Sequence, residues 1–229
     1  IYDADHQLHP LPGELARKEG AAAAGDKAVN QAYKNLGITL DFYEKVFGRN
    51  SLDGRGMDVI ASVHFGDRWP NAMWNGEQML FGDGDGVHLR GFTKSLDIVA
   101  HELTHAVTHH TIRGGLGIVR KQGKIDLVGE PGALNESISD VFACLVTQWH
   151  GKVKARDADW LLGKGILGKG LGKAVRSLKN PGRTKETYAD DDQLAAMDAG
   201  YDPMGDVHRN SGIPNHAFYL VATGLRGYA

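Results

Sequence analysis

One cysteine, Cys144, stands in the whole chain, which excludes an internal disulfide and any fold stapled by cross-links. It falls in a helical apolar run with Val141, Phe142, Leu145 and Val146, so it reads as a packed thiol and leaves the redox compartment open. Blocks of lysine or arginine are missing too. A formal net charge of -2 with 24% charged residues offers no electrostatic footprint for nucleic acid or for an anionic membrane surface. No run of about 18 apolar residues is present to span a bilayer, and no basic segment followed by an apolar run marks a signal peptide. The chain also lacks an initiator methionine; beginning at IYDADH, it reads as a processed or trimmed product.

What is present is ordinary globular material, and 229 residues suffice for one large or two modest domains. Residues 1–25, with HPLPGE and an alanine run, predict an extended or looped segment. From Asp26, a plausible cap, Val29, Tyr33, Leu36, Leu40, Tyr43 and Phe47 recur at helical spacing. That predicts an amphipathic helix interrupted near Gly37 and ended by Gly48. MDVIASVHFG alternates apolar and polar residues, the period of a half-buried strand, and NAMWN and EQMLFG are shorter extended pieces. Helices are expected over Leu96 to Thr111 and Ala133 to Trp149, with weaker helical segments to the end. The glycine-rich stretch between those two helices predicts a loop or short hairpin. Strands early and helices late predict an α+β fold, divided near residue 112 into units of residues 1–112 and 113–229.

Two motifs are decoys. GDGDG, Gly82 to Gly86, resembles the start of a calcium loop but lacks the downstream glutamate, so it reads as a tight turn. GKGILGKG, Gly163 to Gly170, nearly matches a phosphate-cradling loop. Its last position is glycine where a Mg²⁺-binding hydroxyl is needed, and no apolar strand precedes it.

The chemistry concentrates in DIVAHELTHAVTHH, Asp97 to His110. Histidines four apart on a helix sit about one turn, roughly 5–6 Å, above one another and can share an ion. His101 and His109 are roughly 12 Å apart along such a helix, so at most one adjacent pair serves one ion. His101-Glu102-Leu103-Thr104-His105 is H-E-x-x-H: the imidazoles point to one face, and Glu102, turned about 100° away, can reach a water at the ion and act as its base. Only this pair encloses a glutamate, which leaves His109 and His110 as bystanders. A zinc site of this kind needs a third protein ligand. GALNESISDVF supplies Glu136 on a second helix, with Asp140 one turn later to accept the N–H of a ligating imidazole.

VAHELTHAVT followed by GALNESISDVF and later VHRNSGIPN resembles the thermolysin family of zinc metallopeptidases, and YDADHQLHPLPGELARKEG resembles its protealysin-like branch. The resemblance implies an N-terminal sheet-containing domain, a central zinc-binding helix and a mainly helical C-terminal domain, truncated here relative to the family. It implies a secreted zinc endopeptidase with His101, His105 and Glu136 as ligands and Glu102 as the catalytic carboxylate. His208 would steady the oxyanion. Asn71 and the Ala72 carbonyl, in PNAMWNG, would hold the substrate backbone, and Arg176, in AVRSL, would bind a substrate carbonyl. Leu89, Phe92, Ile98, Leu162 and Val175 would line an apolar pocket for the residue after the cleaved bond. Implied partners are a peptide or protein substrate, and the chain's own propeptide or a protein inhibitor.

This sequence departs from the family pattern at several places. Leu127 stands where relatives carry a tyrosine that assists His208, and no tyrosine lies between Tyr43 and Tyr188. An oxyanion donor contributes roughly 10² to 10³ in rate. DPMGDVH replaces D-x-G-G-V-H, so either Asp202 or Asp206 orients His208. About ten extra residues separate His105 from Glu136, an insertion near the cleft. The family's double calcium site looks degraded: Asp97 and Asp159 persist, but Thr147, Leu161 and Lys164 occupy carboxylate positions, and a lysine opposes a divalent cation by charge. Two rivals to the endopeptidase follow. One is a catalytically weak zinc-binding regulatory or interaction protein on the same fold, and the other a zinc hydrolase of non-peptide amides.

Overall fold

Asp26 and Gly48 bracket the first long helix, α1 (Lys27–Phe47). The Asp26 carboxylate accepts the Val29 N–H at 2.8 Å, and Gly48, left-handed at φ 64°, donates back to the Glu44 carbonyl. The helix is continuous through Gly37, contrary to the interruption suggested by sequence. Gly37 faces open space, and the cost of about 1 kcal/mol for a mid-helix glycine is outweighed by burial of its neighbour Leu36 together with Phe42 and Tyr43. This computed structural model describes residues 1–121, 124–182, 184–198 and 200–224.

The N-terminal region, expected as extended or looped, supplies two strands of a five-stranded sheet: β1 (Tyr2–Asp3) and β2 (Glu14–Leu15), joined by β3 (Ala61–Val63), β4 (Ala72–Trp74) and β5 (Met79–Phe81). The order is β2-β1-β3-β5-β4. β1, β3 and β5 run parallel, and β2 and β4 are antiparallel edges. The long alternating stretch that includes β3 forms a strand over only Ala61–Val63. Its neighbours are too short to extend the ladder, and His64, at φ 52°, turns the chain away.

Helix α2 (Leu96–Thr111) packs between α1 and α3 (Gly129–Gly151). Stacking of Tyr43 on Phe142, centroids 5.5 Å apart, and the Tyr43 hydroxyl bonded to Thr104 Oγ1 at 2.8 Å tie the three helices together. Cys144 is buried in this core, and burial pushes its thiol pKa well up. Between α2 and α3 rises a hairpin, β6 (Ile118–Lys121) and β7 (Lys124–Leu127), with Ile118 opposite Leu127.

The weaker helices expected after α3 are absent until α4 (Val207–Gly224). The intervening described residues hold a 3-10 turn at Ala155–Asp157 and the short pair β8 (Leu161–Leu162) and β9 (Arg176–Ser177). Glycines at 163, 165, 168, 170 and 172 deny that stretch a periodic apolar face. Helix α4 packs on α3. Residues 225–229, where the expected helical run would finish, lie outside the described residues. One apolar cluster joins Leu36, Phe81, Leu103, Val146 and Trp160, so the sheet and the helices share a core. Among the described residues no helix is long and apolar enough to cross a membrane.

Candidate active site

Helical spacing on α2 sets His101 above His105, and both turn their Nε2 atoms to one point, 2.9 Å apart. Glu136, on the facing helix α3, brings Oε2 to 3.3 Å from His101 Nε2 and Oε1 to 3.3 Å from His105 Nε2. The opposite ring nitrogens have polar neighbours. His101 Nδ1 faces the Asp140 carboxylate at 2.9 Å, and His105 Nδ1 donates to Asn135 Oδ1 at 2.9 Å with Ser139 Oγ at 3.1 Å. Each imidazole is thereby held with Nε2 toward the cluster. Asn135 was not foreseen from sequence; its amide also donates to the Leu116 carbonyl, before the hairpin, at 2.9 Å.

Asp140, fully buried, gathers three elements. Arg176 Nη2 on β9 lies 3.1 Å from it, the Asn215 amide on α4 donates to it at 2.8 Å, and His101 on α2 faces it. Burial alone would raise its pKa, but Arg176 and His101 hold the carboxyl below its usual range. Burial likewise opposes charge on Glu136, yet the His105 and His208 imidazoles hold it well below a normal carboxylate. For His101, burial works downward but the Asp140 and Glu136 carboxylates prevail, pushing it up to about 10.

These donors suit a zinc ion. Tetrahedral coordination at about 2.0–2.2 Å sets donor atoms roughly 3.3 Å apart, and the three separations here are 2.9, 3.3 and 3.3 Å. Glu136 Oε2 is buried without a hydrogen-bond donor, and two imidazole nitrogens face one another across a carboxylate. One cation answers all of these lone pairs at once.

A cleft of about 410 Å³ opens over this cluster, and Glu102 lines it beside both histidines. Its floor at one side is β4, whose outer edge carries no partner strand among the described residues. Asn71 and Ala72 lie there, with Asn71 exposed and its backbone carbonyl bonded to Gly82 N–H. Leu89, Phe92, Ile98 and Val175 line the cleft as the resemblance implies. Leu162 does not line it, whereas Ile166, just as buried, does. The hairpin forms the opposite rim through Ile118, Ile125, Asp126 and Leu127.

Arg176 and His208 also reach the cleft. His208, at the start of α4, stands 3.4 Å from Glu136 Oε2. Of the two candidate orienting aspartates, Asp206 faces it, with Oδ1 3.7 Å from Nδ1. Asp202 instead accepts the Met204 N–H with its side chain and an Asn210 amide with its carbonyl. Asp206 also caps α4, its Oδ1 accepting the Arg209 N–H at 2.9 Å. Further along α2, His109 accepts the Trp74 indole N–H at 3.0 Å and so braces the edge strand. Near the expected calcium position, Asp97 is buried and accepts N–H groups of Ile98 and Gly163, while Asp159 receives the Lys164 ammonium at 2.7 Å.

Comparison with known proteins gives a consistent picture. The sequence model described as thermolysin metallopeptidase, catalytic domain, matches residues 1–109, and that described as its alpha-helical domain matches residues 124–229. The chain is 45% identical over 240 residues to an extracellular metalloprotease of Pectobacterium carotovorum subsp. carotovorum, covering 100% of this chain and 64% of that protein. Against protease PrtS of Photorhabdus sp. (strain Az29) the identity is 45% over 237 residues, covering 100% of this chain and 61% of that protein. The chain thus spans under two thirds of the length of these relatives. A solved structure, the precursor of protealysin, a metalloproteinase from Serratia proteamaculans, superposes with a TM-score of 0.85 at 46% identity, covering 99% of this chain and 69% of that one.

Proposed function

The chain belongs to the thermolysin family of metallopeptidases, and on that premise we propose that it is a zinc-dependent endopeptidase that cuts an extended peptide lying across Glu102. The observation that carries this reading is the convergence of His101 Nε2, His105 Nε2 and the Glu136 carboxylate at the base of a cleft bordered by a free sheet edge. Zinc held by these three residues supplies a Lewis acid that polarises the scissile carbonyl and acidifies water at neutral pH.

The chain's own groups do the rest. Glu102 takes a proton from the attacking water on a carboxylate oxygen and passes it to the leaving amine nitrogen. His208 donates from Nε2 to the carbonyl oxygen as negative charge gathers there. Of the two aspartates, Asp206, which caps α4 through the Arg209 N–H, stands nearer the His208 ring, and closure on substrate would bring it into place as the orienting carboxylate. The substrate adds as a strand to β4, held by Asn71 and the Ala72 carbonyl, and its ladder positions the scissile bond. Arg176, anchored on Asp140, donates to a substrate carbonyl from the wall. Asp140 keeps His101 turned to the ion. Leu89, Phe92, Ile98, Ile166 and Val175 favour an apolar side chain after the cut bond.

Residues 1–112 and 113–229 act as two units that meet along α2 and α3, and the catalytic groups come from both. At the calcium position, which looks degraded, the Lys164 ammonium pairs with Asp159 and opposes a divalent cation there by its charge. The extracellular relative supports secretion, and the precursor form of the solved relative supports a propeptide as a partner.

A second reading rests on Leu127, which lines the cleft where the family tyrosine would donate: a zinc-holding, catalytically weak binding protein. Casein hydrolysis by zinc-loaded protein and its Glu102→Gln variant separates the two. The endopeptidase predicts a loss of about 10² to 10⁴ in turnover on that substitution with zinc content unchanged. Equal turnover in both proteins rules the endopeptidase out.

A further inference from the structure

The parallel strands β1, β3 and β5 all end on one side of the sheet, and each chain leaves its strand through a residue able to bind a metal: His6, His64 and Asp83. Such strand ends are where open sheets gather ligands. The backbone holds the two histidines in register. His6 N–H donates to the His64 carbonyl at 2.8 Å, and both residues sit at positive φ, 59° and 52°, a conformation non-glycine residues seldom adopt without a constraint. Their rings lie 5.5 Å apart. Asp83 Oδ2 is 2.8 Å from His64 Nδ1 and 3.6 Å from His6 Nδ1, and one ligand atom from each residue falls within 4.8 Å of the others.

The other side of His64 is braced as in a ligating histidine. Its Nε2 lies 3.4 Å from Asp26 Oδ1, and Asp26 is immobilised as the cap of α1. A carboxylate behind one ring nitrogen orients the other toward an ion. The ordinary alternative is an ion pair between His64 and Asp83. It leaves His6 unexplained, since His6 Nδ1 stands beyond hydrogen-bond distance from Asp83.

We propose that His6, His64 and Asp83 form a second metal site, separate from the His101/His105/Glu136 cluster, that takes a borderline divalent cation such as Zn²⁺ or Ni²⁺ with water completing its shell. Two imidazoles and one carboxylate suit these ions and not Ca²⁺ or Mg²⁺, which favour oxygen. Filling it needs small shifts: donors about 3.3 Å apart require Asp83 to draw back slightly from His64 and the half-exposed His6 ring to close in. The bound ion ties the loop after β1 to the ends of β3 and β5. Its role is to staple the first strand to the sheet, since none of the three residues lines the catalytic cleft.

The test uses the full chain carrying Glu102→Gln, to prevent self-digestion, with and without His6→Ala. Zinc per chain is measured after equilibration with a small excess of Zn²⁺, and thermal unfolding is followed with Ni²⁺ as a second probe. The site predicts one additional zinc equivalent that disappears with His6→Ala, and a Ni²⁺-induced rise in unfolding temperature that the same substitution removes. His6 is exposed, so this variant folds; His6→Asn, which keeps a polar side chain, serves as its check and behaves likewise. Equal zinc content with and without His6, whatever the count, overturns the proposal.

Discussion

Two places in this molecule bring two histidines and one carboxylate together, and they differ in what surrounds them. At the α2/α3 site the histidines are one helical turn apart, their outer nitrogens face Asp140 and Asn135, and Asp140 and Glu136 are almost wholly buried. Beyond the ends of β1, β3 and β5 the same donor types come from the segments that leave three strands, and His6 is half exposed. Burial raises the penalty for leaving charge unpaired and removes the water that would compete for the ion. On the proposed reading, the inner cluster therefore suits tight binding and chemistry beside Glu102. The outer one suits weaker, exchangeable, structural binding.

The sharpest way to break this comparison is to remove one histidine from each place. His105→Ala is expected to abolish casein hydrolysis and inner-site zinc together, whereas His6→Ala leaves initial hydrolysis rates within about twofold. Comparable losses in both variants would mean that the two clusters do not play different parts. Next in size is Leu127→Tyr, which places a hydroxyl on the cleft-facing end of β7. It is expected to raise kcat by about 10- to 10²-fold, part of what an oxyanion donor contributes. A steady-state assay showing no gain would place the weak point elsewhere than at Leu127.

Asn135→Ala tests whether orientation of the inner histidines matters. Loss of the amide behind His105 is expected to weaken zinc affinity by about 10- to 100-fold in competition with a chelator. An unchanged affinity would show that Ser139 alone fixes the ring. The smallest effect is expected at Asp26→Ala, where losing the α1 cap costs about 0.5–2 kcal/mol of stability by denaturant unfolding. The same substitution removes the brace behind His64, so it should lower outer-site metal uptake and leave the inner site intact.

Much of the inner site was readable because helical spacing is rigid. Once H-E-x-x-H is set on a helix, His101, Glu102 and His105 have fixed directions, and once the family resemblance points to Glu136, Asp140 follows one turn later on the same face of α3. What was not readable depends on chain segments without a period. Asn135 gains its place through a carbonyl before the hairpin, Ile166 enters the cleft wall through the course of a glycine-rich loop, and Asp206 comes nearer His208 than Asp202 does through one tight turn. β1 and β2 are two residues long each, too short to show alternation. The outer cluster was invisible for a related reason: its members are distant in sequence and meet only because three parallel strands stop on the same side.

X-ray anomalous scattering at the zinc edge, on crystals of the zinc-replete Glu102→Gln protein, tests the central claim most directly. The account predicts the dominant peak about 2.0–2.2 Å from His101 Nε2, His105 Nε2 and a Glu136 oxygen. A crystal whose only zinc peak lies elsewhere, with those three side chains turned apart, would contradict it.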